Sequence, residues 1–248
     1  MTTLLSVEGL SKHYSGVRAL EGVDIEIREG EVLGLVGPNG SGKTTLFNCV
    51  TGFSRLSAGR VVWCGNDVSG MAPDQIARMG VVRTFQQKMV FPRVNVRENL
   101  EIGWRAGGRP DRSRSAFAGC SDLLHFLGLT EMQEMAAGDI PFGSARKLGL
   151  GIALAAGPRL LLLDEPAAGL NQDESHELGQ LIGKMSDLGV TICVIEHDMP
   201  LVMAICQRII VLHAGRKIAD GEPAGVANDP DVIAVYLGEK FARRRSAG

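Results

Sequence analysis

The sequence lacks the features of several classes of protein. Its five cysteines include no C-x-x-C pair, which argues against a zinc site or a disulfide framework and predicts reduced thiols. The formal net charge is −2, so no basic surface points to nucleic acid, and we expect no nucleic-acid partner. These two absences favour a cytosolic protein that acts on something other than DNA or RNA.

Long apolar runs are missing as well. No stretch approaches the roughly 20 apolar residues that span a bilayer, because Gly-Pro-Arg at 157–159 interrupts the longest candidate, Leu148–Leu163. The opening MTTLLSVEGLSKHY has neither the basic start nor the sustained apolar core of a signal peptide. We therefore expect any membrane role to come through a partner.

Residues 37–45 read Gly-Pro-Asn-Gly-Ser-Gly-Lys-Thr-Thr and match G-x-x-x-x-G-K-[ST], the loop that holds nucleotide phosphates. Its glycines let the backbone turn successive N–H groups toward phosphate oxygens, and the helix predicted to follow adds its positive end. Lys43 is expected to reach the β- and γ-phosphates, and Thr44 to ligate Mg²⁺. The pattern predicts a nucleoside triphosphate site. The residues expected to contact the nucleotide here are Gly37, Pro38, Asn39, Gly40, Ser41, Gly42, Lys43, Thr44 and Thr45.

Short apolar runs alternate with helical patterns along most of the chain, which predicts an α/β fold around a largely parallel sheet. Between residues 88 and 157 the pattern is helical, so we expect a helical subdomain inserted in a nucleotide-binding core formed by 1–87 and 158–248. The predicted helices are 42–50, Val96–Trp104, Ala118–Leu127 and Ala145–Ala156. The predicted strands are Leu4–Glu8, Val23–Ile27, Val32–Val36, Arg60–Cys64, Val81–Phe85, Leu160–Leu163, Thr191–Ile195 and Ile209–Leu212.

Polar residues at the ends of three predicted strands form a second pattern. Asp164 ends LLLLD, where an acid can hold the shell of Mg²⁺, and Glu165 can polarise a water that attacks the γ-phosphate. His197 follows another apolar strand and can orient that water, while Gln86, after VVRTF, offers a side-chain oxygen to the metal or the water. A phosphate loop alone also fits a kinase or a GTPase. The combination favours hydrolysis, and no guanine-specific N-K-x-D motif is present.

With these motifs in this order, the chain resembles ATP-binding subunits of ABC transporters over nearly its whole length. The resemblance implies a P-loop NTPase core with a largely parallel sheet, an antiparallel N-terminal β portion and an inserted helical subdomain. It also implies ATP and Mg²⁺ as ligands. Tyr14 is then expected to stack on adenine, and the metal is expected at Thr44, Gln86 and Asp164, the last through a water.

The strings RTFQ, DEPAAGLN and DPDVIAVYLGE are similar to those of the branched-chain amino-acid uptake group. Related systems carry urea, amides or aromatic acids, and a soluble ABC ATPase without a transport role is the alternative. The expected partners are a second ATPase subunit in a homodimer or heterodimer, two integral-membrane permeases, and a periplasmic solute-binding protein reached through the permeases. The expected location is the cytoplasmic face of the inner membrane, as a peripheral protein.

The family's signature LSGGQ is degenerate in this chain. The aligned residues, Pro141, Phe142, Gly143 and Ser144, retain only the glycine at 143, and a helix is predicted to begin near Ser144. In the family this segment contacts ATP on the opposite subunit, and losing one charge-assisted hydrogen bond costs about 1.5–3 kcal/mol. The loop AAGLN also ends in Asn171 where the family usually has an acid. We expect an asymmetric dimer; the alternative is that these changes are neutral and both sites work.

Overall fold

The computed structural model describes residues 2–85, 90–107 and 117–236. The strands are β1 (Thr3–Tyr14), β2 (Val17–Arg28), β3 (Val32–Val36), β4 (Ala58–Trp63), β5 (Asn66–Asp67), β6 (Val81–Arg83), β7 (Leu160–Asp164), β8 (Thr191–Ile195), β9 (Arg208–His213) and β10 (Arg216–Gly221). The helices are α1 (Lys43–Val50), α2 (Pro73–Arg78), α3 (Val96–Ala106), α4 (Cys120–Leu127), α5 (Phe142–Ala155), α6 (Gln172–Asp187), α7 (Met199–Ile205) and α8 (Pro223–Ala227). A 3-10 turn covers Thr130–Met132, and residues 230–236 are helical.

Among the described residues, the larger of the two sheets has six strands in the order β10-β9-β3-β8-β7-β6. Its pairings are parallel except for β9 with β10. All residues of β3, β7 and β8 are buried. These strands read as continuous apolar runs because helices and the second sheet cover both faces, as is usual for parallel sheets.

The smaller sheet is antiparallel, in the order β2-β1-β4-β5. In β2 buried and exposed residues alternate, because one face packs on the core and the other meets solvent. One apolar core joins this sheet to α1 and one face of the larger sheet, and a second core lies between the opposite face and the helices. This α/β architecture, with its antiparallel N-terminal portion, confirms the predicted fold class.

Helices α3, α4 and α5 pack together in the predicted helical region. Asn95 starts α3 with a capping box, in which its Oδ1 accepts the Glu98 N–H at 2.7 Å. Gly103 of α3 faces the backbone of α5, and a Cβ at Gly103 would collide with the Ile152 carbonyl oxygen. The missing side chain therefore lets the two helices approach closely.

The predicted elements are all present, with corrections at their ends. β1 and β2 extend well beyond Leu4–Glu8 and Val23–Ile27, and β6 stops at Arg83 instead of Phe85. The prediction missed α2, α6, α7, α8, β5 and β10. Among the helices of the described residues, none combines the length and the apolar character needed to cross a membrane.

Candidate nucleotide site

The phosphate loop connects β3 to α1 and depends on two glycines with left-handed backbones. Gly37 has a φ of 145°, and a Cβ there would collide with the carbonyl oxygen of Leu212. Gly42 has a φ of 107°, and a Cβ there would lie 2.7 Å from the carbonyl oxygen of Ala19. β9 and β2 thus restrict the loop from two sides, and only glycine fits at both positions.

Lys43 lies inside this loop. Its Nζ donates hydrogen bonds to the carbonyl oxygens of Gly37 at 2.7 Å and Pro38 at 2.9 Å, and the side chain is buried. Asn39, Gly40 and Thr44 are exposed, whereas Ser41 is buried and its carbonyl oxygen accepts the Gly215 N–H at 3.1 Å. α1 begins without a side-chain cap and without an acid in its first turn, so its N-terminal N–H groups favour an anion.

The register of the parallel sheet aligns the other predicted residues with this loop. Leu35 of β3 and Asp164 of β7 both pair with Ile195 of β8. Two strand spacings, roughly 10 Å in total, therefore separate the level of Asp164 from the strand that leads into the phosphate loop. His197 follows β8 between them. The loop, the acids and the histidine thus lie at the carboxyl edge of one sheet.

Asp164 is buried and paired with an arginine that the sequence analysis did not single out. Nη2 of Arg83 lies 2.8 Å from Oδ2 of Asp164, and each side chain is 5% exposed. Nη1 of Arg83 donates to Oδ1 of Asn48 in α1 at 2.6 Å. The guanidinium also lies 5.1 Å from the ring centroid of Phe85. Arg83 therefore links the acid to α1 and to the segment just before Gln86.

Glu165 has an uncommon backbone conformation for a residue with a side chain. Its φ is 48°, in the left-handed region, and its N–H donates to the Ile195 carbonyl oxygen at 2.9 Å. The side chain of His197 is 65% exposed. Glu196 directly precedes His197 and is buried. Burial raises the pKa of Glu196, although backbone hydrogen bonds from Ala167, His197 and Asp198 oppose this effect.

Tyr14 ends β1 and is half-exposed. Its hydroxyl shares a hydrogen bond of 3.0 Å with Ser54, and the Lys12 ammonium lies 4.5 Å from the ring centroid. Gln86 lies outside the described residues. Its neighbour Thr84 is buried, and the Thr84 hydroxyl accepts the Asp164 N–H at 3.3 Å.

The degenerate signature forms the start of α5. The helix begins at Phe142, two residues before the predicted start near Ser144, because Pro141 takes the capping position and its carbonyl accepts the Ala145 N–H at 2.9 Å. The Phe142 ring is 53% exposed and stacks on the Arg146 guanidinium at 4.9 Å. Arg146 donates to the Ala168 carbonyl oxygen at 2.8 Å. The signature therefore packs on the loop that follows Glu165.

The sequence analysis missed three polar residues that organise this site: Arg83, Glu196 and Arg146. Arg83 stands in RTFQ, and Glu196 is a carboxylate directly after the buried run TICVI. A charge at the end of a buried strand needs partners, and that requirement was the available signal for Glu196. The hydrogen-bond partners of Arg83 and Arg146 are distant in sequence, so no local pattern pointed to these contacts.

Comparisons with known proteins identify the family of this chain. The family described as ABC transporter matches residues 20–168, and the family described as branched-chain amino acid ATP-binding cassette transporter matches residues 216–242. The high-affinity branched-chain amino acid transport ATP-binding protein BraF of Pseudomonas aeruginosa is 39% identical, over 95% of this chain and 98% of its own length. LivG of Escherichia coli, named in the same way, is 40% identical over the same shares of the two chains.

A solved structure is similar over nearly the whole chain. It is the crystal structure of the ADP conformation of MJ1267, an ATP-binding cassette of an ABC transporter, with a TM-score of 0.86 and 31% identity. The similarity covers 96% of this chain and 100% of that one. With its phosphate loop, its buried strand-end acid and its inserted helices, this chain belongs to the ABC transporter family of ATP-binding cassettes.

Proposed function

We propose that this chain is the ATP-hydrolysing subunit of an importer of branched-chain amino acids or of related small solutes such as urea, amides or aromatic acids. The observation that carries the proposal is the placement of the phosphate loop, Asp164 and Glu165 at one edge of a single sheet. The relatives named above are transport proteins, which favours this function over a soluble ABC ATPase without a transport role.

The nucleotide-binding residues have distinct tasks in this proposal. The loop N–H groups and Lys43 bind the phosphates of ATP, and Tyr14 stacks on the adenine. Glu165 acts as the general base that polarises the attacking water, and His197 contacts the γ-phosphate and orients that water. The exposed Thr44, the phosphate loop and the strand-end acids favour hydrolysis of a bound triphosphate.

Mg²⁺ fits the available donors. The Thr44 hydroxyl is a hard oxygen ligand, the Asp164 carboxylate would reach the ion through a water, and Gln86 would add an amide oxygen. Within the described ranges, no group of three or more His, Cys, Asp or Glu side chains could hold a metal, so the ion would depend on the phosphates for further ligands. When bound, Mg²⁺ would neutralise developing charge on the phosphoryl oxygens.

A second ATPase subunit would complete the site by placing its signature over the γ-phosphate. The reciprocal contribution of this chain is weak, because Pro141 has no N–H and no hydroxyl at the capping position, and Phe142 is bulky. The N–H groups of the first turn of α5 and its dipole remain available to a phosphate. We propose a heterodimer in which the two composite sites hydrolyse ATP at different rates.

Two integral-membrane permeases would receive the motion of the closing dimer, and a periplasmic binding protein would deliver the solute to them. The candidate contact is Lys88–Arg97, of which residues 90–97 are described. There, Phe91 is half-exposed. The exposed aromatic pair Phe53–Phe85, whose ring centroids lie 5.4 Å apart, presents further apolar surface, and Phe85 directly precedes Gln86 in the sequence. The chain would then lie at the cytoplasmic face of the inner membrane as a peripheral protein.

The test is ATP turnover of the assembled transporter in proteoliposomes with candidate solute-binding proteins. We expect one class of solute-loaded binding protein to stimulate hydrolysis, and Glu165→Gln to abolish the stimulation while ATP still binds. Changing the partner's corresponding glutamate should have an effect of a different size. Equal losses would contradict the asymmetric dimer, and turnover that no binding protein changes would contradict the importer.

A further inference from the structure

Glu196 is a buried carboxylate that joins two loops of the site. Its Oε1 accepts the Ala167 N–H at 2.8 Å, and its Oε2 accepts the His197 N–H at 3.1 Å and the Asp198 N–H at 3.5 Å. The residue is 1% exposed. The basic atom within ion-pair distance, in the part of the chain that the structure describes, is Nδ1 of His197 at 3.8 Å.

Burying the Glu196 carboxylate costs free energy, so the contacts that compensate this cost call for an explanation. Burying a charge is unfavourable unless hydrogen bonds or an opposite charge compensate it. Here the compensation comes from backbone N–H groups of two different segments, and both oxygens are used. A charged acceptor forms stronger hydrogen bonds than a neutral one, so one side chain fixes both backbones firmly.

The two segments carry the residues proposed to act on the γ-phosphate. Ala167 follows Glu165 by two positions, and Glu165 has the left-handed φ of 48°. Such a conformation persists only when its surroundings enforce it. Two links from the end of β8 do so: the Ile195 carbonyl oxygen accepts the Glu165 N–H, and Glu196 accepts the Ala167 N–H. Through its other oxygen, Glu196 accepts the N–H groups of His197 and Asp198 at the start of the loop that carries His197.

We propose that Glu196 is a positioning residue, which sets Glu165 and His197 relative to each other by holding both of their loops with one carboxylate. The inference rests on the proposed roles of Glu165 and His197. Glu196 does not itself take a proton from the attacking water, because its carboxylate is buried and engaged by N–H groups on both oxygens.

Glu196→Gln is the first variant, since it keeps the shape but turns one acceptor oxygen into an NH₂ group that faces an N–H donor. Glu31→Gln is the matched control. Glu31 is also a buried acid that accepts a backbone N–H, from Arg28 at 2.6 Å, but it lies before β3 at the opposite edge of the sheet. Both variants are measured in the assembled transporter for kcat, KM and binding of a fluorescent ATP analogue.

We expect Glu196→Gln to lower kcat at least tenfold and to change nucleotide affinity less than twofold, because the phosphate loop is untouched. Glu31→Gln should lower the melting temperature and keep kcat within twofold of the unchanged protein. The proposal is overturned if Glu196→Gln keeps kcat within twofold, or if the two variants lower kcat equally.

Hydrogen exchange of the full-length chain provides a readout that does not depend on hydrolysis. Peptides covering 164–171 should exchange at least tenfold faster in Glu196→Gln, while peptides of the phosphate loop stay unchanged. An unchanged exchange rate at 164–171 would overturn the proposed positioning role of Glu196. Glu165→Gln and His197→Ala, assayed in parallel, separate the proposed function from the proposed role of Glu196. Full activity of either variant would refute the role in hydrolysis proposed for the substituted residue. It would leave the exchange result for Glu196 unaffected.

Discussion

Nη2 of Arg83 lies 2.8 Å from Oδ2 of Asp164 in a pair that is almost completely buried. The Arg83→Met variant would leave the Asp164 carboxylate without this cation, and removing one partner of a buried pair costs about 3–5 kcal/mol. We expect a loss of this size in the unfolding free energy, measured by urea denaturation.

Two further variants separate charge from geometry at this pair. Arg83→Lys keeps a cation but cannot bridge Asp164 and Asn48 with two arms, so its loss should be intermediate. Asn48→Ala removes only the contact with Nη1, whose length is 2.6 Å, and should cost about 0.5–1.5 kcal/mol. A methionine variant as stable as the unchanged protein would show that the pair contributes nothing to folding.

Gly37→Ala should destroy nucleotide binding, because the new methyl group would collide with the carbonyl oxygen of Leu212. Gly30→Ala, outside the phosphate loop, is the control. Gly30 also has a left-handed φ, of 80°, but no heavy atom lies within 4 Å of the added Cβ. Its cost should therefore be backbone strain alone, about 1–2 kcal/mol. Fluorescent-nucleotide titration and thermal unfolding distinguish the two, and equal losses of affinity would contradict the steric explanation.

Thiol reactivity should separate Cys64 from the buried cysteines. Burial raises the pKa of Cys49 to about 11 and that of Cys206 to about 12, and it also raises the pKa of Cys193. Their thiolate populations at pH 8 are therefore very small, and the thiolate is the reactive form. Cys64 is exposed. We expect Cys64→Ser to remove the fastest phase of reaction with a disulfide reagent, and an unchanged fast phase would contradict this assignment.

The Arg208–Asp220 pair predicts a specific dependence of stability on pH. Burial disfavours the charged form of Asp220, but hydrogen bonds from Arg208 at 2.6 Å and Lys217 at 3.0 Å outweigh it, so its pKa lies below the usual value. An acid with a lowered pKa in the folded state stabilises the protein above its unfolded pKa, and that stability is lost as the pH falls through the folded pKa.

Asp220→Asn tests this dependence. The melting temperature of the unchanged protein should exceed that of the variant most clearly near neutral pH. The difference should shrink as the pH falls below about 4, the ordinary value for aspartate. A difference that is the same at pH 7 and at pH 3.5 would show that the pair contributes through packing instead of charge.

Local sequence was sufficient to locate the phosphate loop and Asp164, because the glycines and the lysine of the loop follow a fixed spacing and the acid ends a buried apolar run. The helix start at Phe142 was missed since phenylalanine and glycine are weak helix formers, and Pro141 reaches the capping position without a side-chain acceptor. α6 was missed although Asn171 and Glu174 form a capping box, a signal that was present in the sequence.

The contacts of Arg83 and Glu196 could not be derived in this way. Arg83 meets Asp164 across 81 positions, and Glu196 meets Ala167 across 29. Such partners become neighbours only after the strand order is known, and the strand order follows from the packing of the whole domain. Local sequence therefore pointed to candidate site residues, but it did not reveal the contacts that hold them in place.

The contact of the phosphate loop with β9 and the turn after it has a consequence for the synthesis of the protein. Leu212 and Gly215, which confine Gly37 and Ser41, are translated more than 170 residues after the two residues that they confine. A nascent chain that has been translated only as far as α1 contains the whole phosphate-binding motif but lacks β9, the strand that constrains it. Affinity for nucleotide should therefore arise late in synthesis, after β9 has been translated. Chains that terminate before β9 would contain the motif but bind nucleotide weakly.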